Sequence, residues 1–102
     1  MNPLEEQAGQ RPALVVSREV VNRRLPIVAV LPLTTARPGR RVYSTEVLLP
    51  AGVANLPADS IVMAHQVRTL SAKRLGSLYD EVSDPDHRQA IRRALALYLD
   101  LE

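Results

Sequence analysis

Two short apolar runs constrain this chain most: Ala13-Leu14-Val15-Val16-Ser17, entered through Arg11-Pro12, and Ile27 to Leu33, which ends in Thr34-Thr35. Each reads as a short buried strand, so a guanidinium lies just before one strand and a hydroxyl pair just after the other. If those two ends meet, a phosphate can sit between them. Arginine offers a rigid fork of donors matched to phosphate oxygens, and a threonine hydroxyl adds a donor without adding charge.

The rest of the chain is read around these strands. Met1 to Gln10 is polar, contains Pro3, Gly9 and the Glu5-Glu6 pair, and follows neither period, so residues 1–10 are expected to be a loop or tail. Ser17 is placed to cap a short turn through Asn22, which Pro26 closes before the second strand. Thr34 to Arg41 holds Pro38-Gly39 and three arginines, which is turn chemistry, and is expected to be the mobile loop. Further strands are expected at Thr45 to Leu49, Ser60 to Ala64 and Ser77 to Val82. Ser71 should cap a single turn through Leu75, with Gly76 breaking the chain after it.

The final element is a helix over 84–100. Ser83 or Asp84 caps it, Pro85 suits its first turn, and Ile91, Ala94, Leu95 and Tyr98 recur at helical spacing. Arg88, Arg92 and Arg93 fall off that stripe and are assigned to a solvated face. Short strands followed by one amphipathic helix define a mainly β, α+β protein: a small, mostly antiparallel barrel or sheet closed off by the helix.

A chain of 102 residues makes one domain, long enough to bury about two-thirds of its unfolded surface. Its core must be aliphatic, because Phe, Trp and Cys are absent and Tyr43, Tyr79 and Tyr98 are the only aromatics. Without cysteine there is no disulfide and no thiolate metal site. No apolar stretch nears the ~20 residues needed to cross a bilayer and no charged leader precedes one, so a cytoplasmic protein without membrane contact is expected. The net charge of +2 and pI near 9.5 permit nucleic-acid binding without requiring it. The carboxylates are scattered, and no metal or other cofactor is expected.

Three separated blocks, Glu6 to Ser17 (EQAGQRPALVVS), Val28 to Thr35 (VAVLPLTT) and Asp59 to Leu70 (DSIVMAHQVRTL), resemble the MazF/PemK family in content, order and spacing. These proteins are the toxin halves of type II toxin-antitoxin modules. The resemblance implies an SH3-like barrel with a C-terminal helix, acting as a homodimer. It also implies metal-independent, sequence-selective cleavage of single-stranded RNA, leaving a cyclic phosphate and a free 5′-hydroxyl, and neutralisation by a disordered acidic antitoxin segment lying in the RNA site. It makes Arg11 and Thr34 the catalytic residues and Glu6, Gln7, Thr35, His65 and Gln66 the RNA-binding ones.

The residue chemistry is compatible with that. RNA carries its own nucleophile, the 2′-hydroxyl, so an enzyme need only stabilise a phosphorane and manage two proton transfers. Arg11 can neutralise the phosphorane and Thr34 can donate to a non-bridging oxygen. Thr35 is either a substitute for Thr34 or merely its neighbour. Glu6, His65 and water are candidate proton carriers, arginine being too basic for the task. His65 stands where the family often carries glutamate; it is a proton carrier, a base-reading contact or a structural histidine. Arg68 could pair with Asp59, with Glu81 or with RNA, and His87 is assigned to solvent.

The chain departs from the family at its start. A strand of the type Arg-Gly-(Asp/Glu)-(Val/Ile)-Trp usually precedes the Glu-Gln block, and this chain begins inside the loop that follows it. The expected consequence is an exposed edge beside the Arg11 strand, to be covered by homodimer contact, by the chain's own N-terminal residues or by an antitoxin, and a fragile monomer. Two alternatives therefore stay open: a catalytically impaired relative that binds only antitoxin or nucleic acid, and a topoisomerase inhibitor of the CcdB kind. Retention of both Arg11 and Thr34 argues against the second.

Overall fold

In the computed structural model, which describes residues 1–6 and 11–101, the first apolar run lies in strand β2 (Arg11–Val15) and the second in β3 (Ile27–Thr35). They pair antiparallel, with Ala13 opposite Pro32, Leu14 opposite Leu31 and Val15 opposite Val30. With β1 (Asn2–Glu6), β4 (Glu46–Leu49), β5 (Ser60–Met63), β6 (Arg68–Ser71) and β7 (Leu75–Leu78) they make a seven-stranded antiparallel sheet in the order β4-β5-β3-β2-β1-β7, with β6 also on β3. The helices are α1 (Glu19–Arg24) and α2 (Pro85–Leu99).

β3 organises the sheet. Its first four residues, Ile27 to Val30, pair with β6, and its last three, Leu33 to Thr35, pair with β5. β6 and β7 are joined by the single turn Ala72–Arg74, yet one pairs with β3 and the other with β1. The sheet must therefore curl until its far strands approach each other, although among the described residues no ladder closes it.

Side-chain alternation along β2 and β3 divides the core in two. Leu14, Leu31 and Leu33 join Leu49, Val62, Val82, Ile91 and Ala94 in the layer against α2. Ala13, Val15, Val28 and Val30 point the other way and pack with Leu70 inside the curl. A strand with apolar residues on both faces reads as a continuous run, which is how β3 reads.

The structure overturns the expected loop or tail over residues 1–6, residues 7–10 lying outside those described, and of the three expected covers for the edge it is the chain's own N-terminal residues that serve. Asn2–Glu6 is a strand, bounded by β2 on one side and β7 on the other, with Asn2 opposite Val15 and Glu6 opposite Arg11. Pro3 and polar neighbours argue locally against a strand. Partners far along the chain decide otherwise: Pro3 is fully buried, its carbonyl accepts the Tyr79 amide at 3.0 Å, and the Met1 carbonyl accepts that of Val82 at 3.0 Å. The edge beside the Arg11 strand is thus covered from within the chain.

Smaller boundaries shift for local reasons. Ser17 does not cap α1; Arg18 holds the N-cap position, and the Ser17 hydroxyl donates to Asn22 Oδ1 at 2.6 Å while accepting the Ala29 amide at 3.0 Å. Ser71 does cap its turn, accepting the Lys73 amide. Gly76 lies inside β7 instead of breaking the chain, because pairing with β1 carries the strand from Leu75 to Leu78. Thr34 and Thr35 belong to β3, so the loop begins after them.

α2 matches its reading closely. Asp84 accepts the Asp86 amide at 2.8 Å, Pro85 fills the first turn, and Ile91 and Ala94 are buried. Asp100 takes the left-handed conformation (φ 57°) that closes the helix, and the Leu101 amide returns to the Ala96 carbonyl at 2.8 Å. Arg92 and Arg93 are exposed as expected, whereas Arg88 is half-buried. Among the described residues no helix is long and apolar enough to cross a membrane.

Candidate active site

The β2–β3 ladder ends at the Ala13–Pro32 pair, and Arg11 at the start of β2 and Thr34 near the end of β3 each lie two residues beyond it. The antiparallel turn of the chain has thus brought together the guanidinium before one strand and the hydroxyls after the other. They line one cleft of about 330 Å³ with Ser60, Pro57 and Tyr79. On the other side of Arg11 a smaller hollow of about 160 Å³ is lined by Pro32, Gln66 and Arg68. Arg11 is exposed, Thr34 half-buried and Thr35 exposed. None of the ion pairs among the described residues involves Arg11.

The wall facing Thr34 is a tight loop between β4 and β5. Gly52 (φ 93°), Ala54 (φ 51°) and Asn55 (φ 60°) occupy the left-handed region there, which is strained for alanine. Hydrogen bonds hold it: the Gly52 amide to the Leu56 carbonyl at 2.8 Å, and the Ala51 amide to Asp59 Oδ1 at 2.7 Å. The Ala36 amide bonds the Asp59 carbonyl at 2.8 Å, which ties the end of β3 to the same loop.

The segment beyond β3, expected to be mobile, is stapled. Arg40 forms a two-pronged pair with Glu46, at 3.0 Å to Oε1 and 2.8 Å to Oε2, and the Tyr43 amide donates to Oε1 at 3.0 Å. The Glu46 side chain is 1% exposed and that of Arg40 29%. Hydrogen bonding from Arg40 first, then from the Tyr43 amide, lowers the Glu46 pKa against the opposing cost of burial, and the same bond raises that of Arg40.

The remaining candidates separate. Gln66 and Arg68 reach the Arg11 neighbourhood, and Thr35 shares the cleft with Thr34. His65 lines neither hollow: its Nδ1 lies 3.0 Å from Thr45 Oγ1 and its ring meets that of Tyr98 on α2 edge-on, 6.5 Å between centroids. The backbone of Glu6 faces Arg11 across β1–β2, but the Glu6 side chain and all of Gln7 lie outside the described residues. His87 is not fully solvent-facing; it is half-buried, 3.8 Å from Asp84 Oδ2. Tyr79, Ser60 and Pro57 went unnoticed in the sequence, where nothing distinguishes them from strand-end and turn residues.

A curled antiparallel sheet capped by a C-terminal helix, with an arginine and a threonine lining one cleft, defines a small β protein with a cleft at the ends of β2 and β3. The chain belongs to the PemK-like, MazF-like toxins of type II toxin-antitoxin systems, whose family pattern matches residues 3–99. It is 32% identical over 96 residues to endoribonuclease EndoA of Bacillus subtilis, covering 90% of this chain and 81% of EndoA. Its structure is similar to the Mycobacterium tuberculosis toxin MazF-mt6, with a TM-score of 0.84, 29% identity and coverage of 100% of this chain and 99% of that one. It is also similar to a mycobacterial endoribonuclease solved in complex with its cognate antitoxin, with a TM-score of 0.82, 29% identity and coverage of 98% and 93%.

Proposed function

We propose that this toxin is a metal-independent, sequence-selective endoribonuclease that cleaves single-stranded RNA by internal 2′-hydroxyl attack. The observation that carries the reading is the placement of Arg11 and Thr34 in one cleft from opposite strand ends. The 2′-oxygen attacks phosphorus and loses its proton, the 5′-oxygen leaves and gains one, and a cyclic phosphate results. Arg11 holds the charge of the phosphorane with its fork of donors, and Thr34, with Thr35 beside it, donates to a non-bridging oxygen. The guanidinium stays protonated throughout, so the proton carriers are Glu6, whose backbone faces Arg11, and water. Gln66 and Arg68 line the hollow beyond Arg11, where a neighbouring nucleotide would lie.

The curled sheet serves as an SH3-like barrel for this site. Exposed Leu97, Leu99 and Leu101 at the end of α2 suit burial against a second copy, in a homodimer. An acidic antitoxin segment would compete for the charge RNA uses, and the setting would be cytoplasmic. The non-catalytic alternative rested on an open edge that β1 fills. In a gel assay, long single-stranded RNA should be cut in the presence of EDTA, with cyclic phosphate at the new ends; absolute dependence on added Mg²⁺ would overturn the mechanism.

His65 gives a further expectation. Facing Thr45 and Tyr98, it positions the turn that carries Gln66. His65→Ala should lower the thermal midpoint while changing the cleavage rate by less than about 10-fold, well short of the ~100-fold or more lost with a positioned acid or base. A ~100-fold drop with an unchanged melting curve would restore it to the chemistry.

A further inference from the structure

We propose that the ring of Tyr79 is the platform on which a base next to the scissile phosphate stacks, making it a specificity-determining contact; this rests on the endoribonuclease reading above. The chain has three tyrosines. Tyr43, beside Arg40 and Arg41 in the segment beyond β3, and Tyr98, on α2 beside His65, do not line the cleft. Tyr79 is the aromatic that lines the Arg11–Thr34 cleft. Proteins that read single-stranded RNA splay its bases onto aromatic faces, and a tyrosine does this with only two torsions to order.

The backbone around Tyr79 is held from two sides. Its amide donates to the Pro3 carbonyl of β1 at 3.0 Å. The next residue, Asp80, accepts the side-chain amide of Asn55 at 3.2 Å, which clips the segment after β7 to the strained loop forming the opposite wall. The residue is half-buried and lines the cleft together with Arg11 and Thr34. A space of about 330 Å³ is at the small end of ligand clefts, a size suited to one nucleotide and not to a folded helix. Arg11 and Thr34 then grip the phosphate while Tyr79 receives the adjoining base.

The test compares wild type with Tyr79→Phe, Tyr79→Trp, Tyr79→Leu and Tyr79→Ala in cleavage of one long single-stranded RNA, with sequencing of the product ends. Stacking requires a π-face and no hydroxyl, so Phe and Trp should hold KM within about 3-fold of wild type. Leu and Ala should raise KM by roughly 10- to 100-fold, the fold-change of one lost base stack, with kcat changed far less. Base preference at one position beside the cut should relax. Tyr79→Leu keeps apolar bulk, so a melting curve close to wild type separates lost recognition from lost fold if Tyr79→Ala fails to fold. Tyr79→Phe as impaired as Tyr79→Leu would assign the hydroxyl, not the ring, and overturn the proposal, as would wild-type kinetics and cut sites in Tyr79→Leu. A wild-type protein that cuts no RNA overturns the endoribonuclease reading itself, a result distinct from either.

Discussion

Arg11→Ala lowers the RNA cleavage rate by roughly two to three orders of magnitude, and Thr34→Ala does so by a comparable factor, the scale on which a preorganised donor to a developing oxyanion acts. The expectation follows from the cross-strand placement of the two side chains in one cleft. Charge on the phosphorane grows after the substrate is bound, so donors already aimed at it lower the barrier without reorganising. Arg11→Lys should recover only part of the loss, since an ammonium keeps the charge and gives up the two-pronged geometry. Because both groups serve one phosphate, Arg11→Ala combined with Thr34→Ala should lose less than the product of the separate factors. Single-turnover kinetics on a synthetic RNA containing one cut site measures all four. Wild-type rates from Arg11→Ala would remove the guanidinium from the mechanism.

Glu46→Gln lowers the thermal midpoint at pH 7 by roughly 10 °C, a shift of the size that the loss of a buried charged pair produces in a domain this small. Glu46 is buried at the start of β4, and its carboxylate holds Arg40 and the Tyr43 amide. Glutamine can keep one of these bonds and leaves the guanidinium without its counter-charge. The same group sets an acid dependence. Hydrogen bonding from Arg40 lowers the Glu46 pKa in the folded protein from its ordinary value of 4.5, so the stabilisation is complete above about pH 4.5 and is lost as the pH falls through the folded value. Melting curves of wild type and Glu46→Gln should therefore lie far apart at pH 7 and converge as the pH falls below 4.5 and through the lowered folded value. A constant gap across that range would mean that Glu46 does not carry its charge in the fold.

The strands β2 and β3 and the helix α2 were legible because each satisfies its own local rule. Branched side chains mark the strands, and Asp84, Pro85 and the Ile91–Ala94 spacing mark the helix. β1 was not legible, because Pro3 and its polar neighbours carry no strand signal and the stabilising partners lie at Val15 and Leu78. The stapled loop was hidden for the same reason: Arg40 reads as turn chemistry until Glu46 is folded beneath it. His65 matched the family by position, yet its partners Thr45 and Tyr98 come from other elements, and it lines neither hollow beside Arg11.

The amino-acid sequence alone thus determined the residue types that can grip a phosphate, the two strands that carry them and the helix that covers the sheet, since these depend on contacts between near neighbours. Only the tertiary structure decided that Arg11 and Thr34 share a cleft, that Asn2–Glu6 fills the sheet beside them and that Tyr79 completes the wall. Strand register and sheet curl join residues far apart in the chain, and such long-range pairing is governed by burial and hydrogen-bond satisfaction across the whole domain, not by the local sequence at either end.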